Sequence, residues 1–321
     1  MPIESEAQHR PDLQALLWEY AQQELGRKFV GLNMLAPLAD VAYKEAGYYK
    51  VPTDEFLRVP DTTVGRQQGY NRVDFGMVHE DFSMQEHGLE HLVKDQDMNR
   101  YAEIGLDAEA ASTRVLMVMW LLSGEKRVLD VVQDTSIFAE QTVDTAWSST
   151  STSDPLADIN GYKESMENAT GMTPNALAVS SQVFRYLQQN DAIQSFLEAT
   201  QPSFGDASVT QEMMRQYFDV DYFGVSKARY VSSPEGEAES MTAMLSDEYA
   251  FLARVSENPE DFNEPCALKT FTWTGDAPEN PVVEDYRDEH GRGTVYRVRN
   301  QLQTTDIMSS LGYLIDTEQT A

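Results

Sequence analysis

The sequence is poor in cysteine, lysine and long apolar runs, and each shortage excludes something. A single cysteine, Cys266, rules out an intramolecular disulfide framework, and a buried small residue is the expected role for it. The 53 acidic residues outnumber the 24 basic ones and leave a net charge of −29. Such a field excludes nucleic-acid binding by overall charge, because neutralising phosphates takes clustered Lys and Arg; a locally basic face stays open. The longest apolar run, VLMVMWLL at 115–122, is too short to cross a bilayer. The opening MPIESEAQHRPD has neither a basic start nor an apolar core, so no signal peptide is expected. Outside residues 87–91 there is no glycine-rich phosphate loop, no nucleophile elbow and no paired His/Cys spacing. What is present is a foldable chain: 321 residues, 41% apolar and 10% aromatic, enough for one large or two moderate domains with real cores.

Residues 10–26 read as an amphipathic helix with Leu13, Leu16, Leu17, Tyr20 and Leu25 on one side and Gly26 as its stop. The stretch through Tyr48 and Tyr49 is broken by Gly31, Pro37 and Gly47 and reads as an extended arm with a short helix. In 53–83, polar and apolar residues alternate around Phe56 and again from Tyr70 to Met77. Between the two runs, TTVGRQQG (62–69) suits the tip of a long hairpin. The strongest helical signal runs from Asp107 to about Gln133, with Val115, Met119, Leu122, Leu129 and Val132 expected on one side. Its rod would be roughly 40 Å long, and Gly124 would be a kink or a close-packing point.

The most informative stretch is Trp147 to Leu197. A Ser/Thr run leads to Asp154 as N-cap and Pro155 at the first helical position, then a helix with Leu156, Ile159 and Met166 inward. Gly171 and Pro174 end it, a strand follows at Ala176–Val179, and Ser181 is expected to cap a second helix. Further on, a helix is expected over 208–219, capped by Ser208 or Thr210, and a strand over 222–231. An acidic stretch, SSPEGEAES, comes next; then strands in ALKTFTW, on both sides of the turn in DYRDEHGRGTVYRVRNQL, and in DIMSSLGYLI.

Trp147, Ser153, Asp154, Pro155, Leu156, Asp158, Ile159, Gly171, Pro174, Asn175, Leu177 and Val179, in that order, resemble the axial domain of tailed-bacteriophage major capsid proteins. These proteins share the Hong Kong 97-type shell fold. The resemblance implies an α+β chain with an N-terminal arm at 1–52 and an extended β-hairpin loop at 53–83. It also implies a peripheral domain with a long spine helix at 84–150 and 265–304, and an axial domain at 151–264 and 305–321. The function it implies is structural. Copies of the chain would form the hexamers and pentamers of an icosahedral shell in the host cytoplasm. The shell would enclose double-stranded DNA without sequence-specific binding, with no membrane and no cofactor. A separate scaffold, portal and cement protein are possible partners. Some such proteins crosslink a loop lysine to an asparagine; none lies between Lys50 and Lys94, so that chemistry is not implied here.

None of the matched letters performs chemistry, and the catalytic, cofactor and metal sets are expected to be empty. One pattern competes. His87-Gly-Leu-Glu90-His91 fits H-x-x-E-H, in which two histidines on a helix bind zinc beside a glutamate base. Gly88 weakens that helix and no third ligand is evident, so a structural segment is the blander reading. Asp219, Asp221, Asp247 and Glu248 read as solvated turns before they read as a cation site. Arg58, Arg66, Arg72 and the trio Arg292, Arg297, Arg299 are expected to pair with acidic residues of adjacent subunits or to line a solvated face. A capsid subunit is thus the expected function, with an encapsulin-like compartment shell as the alternative within the class and a zinc hydrolase as the alternative outside it.

Overall fold

The computed structural model describes residues 8–13, 29–50, 57–64, 70–74, 76, 78–103, 105, 107–200, 209–234, 236–261, 264–275 and 281–319. In chain order the strands of the first half are β1 (Gln8–His9), β2 (Leu38–Val41), β3 (Glu45–Lys50), β4 (Val78–Ser83), β5 (Gln85–Lys94), β6 (Ala139–Thr142) and β7 (Ala176–Ser180). Those of the second half are β8 (Tyr222–Ser226), β9 (Arg229–Val231), β10 (Met241–Ala243), β11 (Tyr249–Ala253), β12 (Leu268–Trp273), β13 (Val282–Asp288), β14 (Gly293–Asp306) and β15 (Gly312–Asp316). The helices are α1 (Asp95–Glu103), α2 (Ala108–Val132), α3 (Pro155–Thr170), α4 (Ser181–Gln189), α5 (Asp191–Thr200) and α6 (Gln211–Tyr217).

A first sheet is organised by β14. Its 14 residues pair with β13, β5 and β12, and β1 and β2 extend the edges. Because strand side chains alternate, Tyr296, Val298 and Leu302 of β14 face α2 and join its core, while Arg297 and Arg299 face away. The helix starts where the sequence predicts. Asp107 accepts from Glu109 N at 3.0 Å and Ala110 N at 3.3 Å, and the 25 residues span about 37 Å. Its buried side differs from expectation. Leu116, Met117, Trp120, Leu121, Val128, Leu129 and Val132 pack inward, whereas Val115 and Met119 are each 54% exposed. The run 115–122 is apolar on all sides, so its period cannot choose a face. Gly124 is a close-packing point, since a Cβ there would stand 3.2 Å from Leu32 Cδ1.

A second sheet runs β6–β15–β11–β7–β8, with α3 to α6 packed around it. β7 pairs in parallel with β8 and antiparallel with β11, is buried along its whole length, and reads accordingly as an unbroken ALAVS. β6 joins this sheet although it precedes residue 150, because it pairs in parallel with β15. Asp154 caps α3 and Pro155 opens it, as expected; Gly171 closes it at φ 70°, a left-handed turn that a Cβ disfavours. The α4 cap is Ser180, whose Oγ accepts from Val183 N at 3.1 Å, and Ser181 is the first helical residue. Thr210 caps α6, which is shorter than the helix expected there.

A third layer, the two-stranded β3–β4 pair, lies on the side of the first sheet away from α2. Tyr48, Phe82 and Met84 pack on Ala39, Val41, Phe271 and Ile307; the Phe82 and Phe271 rings stack at 4.6 Å. The expected ribbon is thus paired through 45–50 and 78–83, while 57–64 and 70–74 carry no strand. A two-stranded ribbon has no core of its own, so pairing holds where a sheet supports it. Phe56, Arg66, Phe75, Met77 and the tip residues 65–69 lie outside the described residues, as do residues 14–26 of the first expected helix. Of that helix Arg10–Leu13 are described; Pro11–Leu13 are helical and Arg10 is not.

Candidate assembly surfaces

His87, Glu90 and His91 fall on β5, and that strand decides the competing reading. Four residues of strand separate the two imidazoles by about 13 Å, and side chains stand roughly perpendicular to the sheet. Successive residues alternate faces, so Glu90 points away from both histidines. His91 Nδ1 lies 3.2 Å from Ser112 Oγ under α2, while Glu90 meets Tyr286 Oη at 3.2 Å and Arg297 at 3.4 Å on the other face. One metal and one base cannot be served by that arrangement. Burial beneath α2, with Arg127 nearby, holds the His87 pKa below its ordinary value.

The acidic candidates also lie apart. The carbonyls of Phe218 and Asp219 accept from Lys163 Nζ at 2.6 and 2.7 Å, and Asp247 faces Arg229 at 3.7 Å. Among the described residues, no three His, Cys, Asp or Glu side chains gather as a metal site would require. Cys266 is buried, and burial pushes its thiol up to about 12, which leaves it inert. No helix among the described residues is long and apolar enough to cross a membrane.

The arginine trio corrects an expectation. Arg297 and Arg299 do not await another subunit: both grip Glu284 of the adjacent β13, at 2.5 and 2.8 Å, because the antiparallel register sets Glu284 opposite Arg297. Arg299 and then Arg297 hold the Glu284 pKa below the usual carboxylate range. Arg292 forms the turn at φ 51°. Arg58 and Arg72 sit on the exposed loop.

The matched Trp147–Val179 stretch is a scaffold of buried polar joints. Trp147 is fully buried, and its Nε1 donates to Asp158 Oδ2 at 2.8 Å. Asn175 ties two strands' ends: its Nδ2 donates to Val255 O at 3.0 Å and its Oδ1 accepts from Val255 N at 2.7 Å. Asn190 Nδ2 donates to Ser153 Oγ at 3.1 Å. One buried carboxylate went unread in the sequence: Glu125 on α2, which accepts from Val30, Gly31 and Leu32 N. Its spacing offered a signal, since it stands four residues from both Leu121 and Leu129 on the buried stripe.

The surfaces left over are apolar. On the loop, Leu57, Val59, Val64, Tyr70 and Val73 are exposed, Val59 by 95% and Tyr70 by 88%. On the spine helix Val115 and Met119 form a short outer stripe, next to a groove lined by His91, Asp97, Tyr101 and Ala111. An isolated exposed apolar residue is ordinary; a run of them on a projecting segment signals a partner surface.

Comparison with known proteins agrees with this architecture. No family model matches the chain. The major capsid protein of Burkholderia phage BcepMu is 24% identical over 297 residues, which cover 90% of this chain and 91% of that protein. The crystal structure of a phage-related protein from Bordetella bronchiseptica RB50 is similar with a TM-score of 0.72 at 24% identity, over 97% of this chain and 98% of the other. The capsid of Myoviridae phage XM1 is similar with a TM-score of 0.53 at 6% identity, over 92% and 91%. The chain therefore has the α+β, Hong Kong 97-type fold of phage capsid subunits and resembles a phage major capsid protein over nearly its whole length.

Proposed function

We propose that the chain is the major capsid subunit of a tailed phage or prophage, assembling with copies of itself into a closed icosahedral shell around double-stranded DNA. The observation that carries this reading is the near-full-length likeness to a phage major capsid protein, in sequence and in fold together. The role is structural and needs no catalytic residue and no cofactor.

In this reading the first sheet and α2 form the peripheral domain and the second sheet with α3 to α6 the axial domain. The loop departs from a stem seated on its own subunit and lays Val59, Tyr70 and Val73 on a neighbour. Each fully covered side chain of that size contributes about 1.5–3 kcal/mol before ordering costs, so one contact is weak. A contact passed from each copy to the next around a closed ring is repeated many times, and closure makes the sum large. The charge of −29 per subunit works against crowding copies together and against holding DNA directly. Assembly should therefore strengthen as salt rises and shortens the Debye length. Hexamers and pentamers of the chain are the primary partners; a scaffold, portal or cement protein would be separate chains.

Electron microscopy of the purified protein tests the reading. Closed shells are expected from the wild type, and a folded subunit that does not close is expected after deletion of Val64 to Gly69. A wild type that stays a small discrete oligomer overturns the reading. Full shells from the deletion variant overturn the role of the loop. Nuclease-protected DNA inside particles from the native host separates a phage head from an encapsulin-like compartment, which would hold protein cargo.

A further inference from the structure

The segment Phe29–Leu35 lies where three parts of the molecule meet. Gly31–Leu35 make one π-helical turn, closed by Ala36 N donating to Gly31 O at 2.9 Å. On one side is α2: a Cβ on Gly31 would stand 2.9 Å from Glu125 Oε2 and 3.0 Å from Val128 Cγ1. On the other is β8, the edge of the second sheet, where a Cβ on Gly224 would stand 2.8 Å from Val30 Cγ1 and 3.1 Å from Met34 Cε. Immediately after, Pro37 O accepts from Thr270 N at 3.1 Å and the chain enters the first sheet as β2. One short run thus touches α2, the first sheet and the second sheet, beside the direct packing of α2 on Ala178, Phe251 and Leu314 of the second sheet.

The tie depends on one side chain. Glu125 is fully buried; its Oε1 accepts from Val30 N and Gly31 N and its Oε2 from Leu32 N, each at 2.9 Å. Among the described residues no cation pairs with it. The segment 29–35 has no titratable side chain, and of the flanking residues on α2 Lys126 is paired with Asp130 and Arg127 donates to Ser123. Burial pushes the Glu125 carboxyl up, and the three N–H groups oppose that. The carboxyl is held by backbone donors alone, so a shift of the turn by about an ångström weakens all three bonds together. Beside the turn lies a cleft of about 450 Å³ lined by Met34, Pro37, Arg215, Tyr222 and Phe223, which leaves space on that side. Single π turns are rare, and they mark sites of function more often than chance.

We propose that Phe29–Leu35 is a strap that, together with the direct packing of α2 on the second sheet, fixes the angle between the two sheets, and that Glu125 is its latch. Engaged, the latch holds one arrangement; released, it lets the second sheet swing against α2. In a shell that angle sets the local curvature. This last consequence rests on the capsid reading, whereas the strap itself does not.

The chemistry of the latch makes it testable. A glutamine at 125 presents one acceptor oxygen, and its amide N–H would oppose one of the three donors. In Glu125→Gln, hydrogen exchange at Val30–Leu32 should rise at least about tenfold while β14 and β7 exchange as before, the size expected for one lost bond to a charged group. Shells from this variant should show a broadened range of diameters. If Glu125→Gln does not fold, Glu125→Asp, which withdraws the charge by one methylene, should show the same signature at smaller amplitude. Unchanged exchange at Val30–Leu32 in the variant that folds overturns the latch. Raised exchange with unchanged shell diameters overturns the strap. A wild type that forms no shells counts against the capsid reading and leaves the exchange result to decide the latch.

Discussion

Replacing Phe82 by alanine should unseat the loop stem from its own subunit, and the size of the effect follows from the packing. Phe82 is 6% exposed, its ring stacks on Phe271 at 4.6 Å and 19°, and Tyr48 closes the cluster at 6.4 Å. Truncating a core phenylalanine costs about 3–5 kcal/mol. This cluster is small and open toward the loop, so partial collapse sets the loss near the lower end, about 3 kcal/mol. Roughly 1 kcal/mol of that belongs to the ring pairing itself. At about 2.1 cal/mol/K per residue, unfolding 321 residues releases about 0.7 kcal/mol/K, so Tm should fall by about 4–5 °C. Thermal unfolding of the free subunit measures this, and limited proteolysis should show earlier cleavage within 57–74. Phe271→Ala completes a double-mutant cycle. Because the rings touch, the double variant should lose about 1 kcal/mol less than the sum of the singles. A Tm shift under about 1 °C, or strict additivity, would refute the claim that the stem is seated on β12.

Asp158 is half-buried against Trp147, and burial raises its pKa, so the folded state binds its proton more tightly than the unfolded chain. The cost of its charge is absent below the ordinary carboxylate range and appears as pH rises through the raised value. Denaturant unfolding should therefore find Asp158→Asn neutral or stabilising at pH 7, with the gap closing on acidification. Asp158→Ala, which strands the indole N–H, should cost about 1–3 kcal/mol. Gly171→Ala forces a Cβ into a φ of 70° and to within 2.9 Å of Leu57 Cδ1, so its denaturation midpoint should drop by the equivalent of about 1–2 kcal/mol. Joint replacement of His87 and His91 by Gln should leave assembly and metal content unchanged; stoichiometric zinc in the wild type would sink that reading. Mature particles boiled in denaturant should run as single subunits on a gel, because 51–93 contains no lysine, and a covalent ladder would show that another lysine serves.

Local grammar was legible and long-range pairing was not. Asp107, Asp154, Pro155, Gly171 and Thr210 announce helix ends because capping and left-handed turns are decided within four or five residues. The order of parts around Trp147 identified the architecture for the same reason. Which strand meets which is settled by residues far apart in sequence. The partner of Arg297 and Arg299 therefore stayed hidden until β13 met β14, and 45–50 read as arm until it met 78–83. HGLEH is a helical zinc motif or a strand on the strength of its neighbours alone, and pairing with β14 chose the strand. Glu125 escaped notice because a lone acid in an apolar helix usually marks the solvent side; the backbone donors that justify it come from nearly a hundred residues upstream.

The position of β15 carries a consequence for timing. It follows the other strands of its sheet in the chain, yet it lies inside that sheet, between β6 and β11. Its neighbouring residues also serve different cores: Leu314 packs with the α2 cluster and Ile315 with the α3–α6 cluster. Until Gly312–Asp316 emerge, β6 has no partner, β11 shows an open edge, and both cores lack a wall. Folding that waits on so distant a pairing is slow. A chain terminated short of Gly312 would keep those edges bare, a state prone to aggregation and clearance rather than lattice growth.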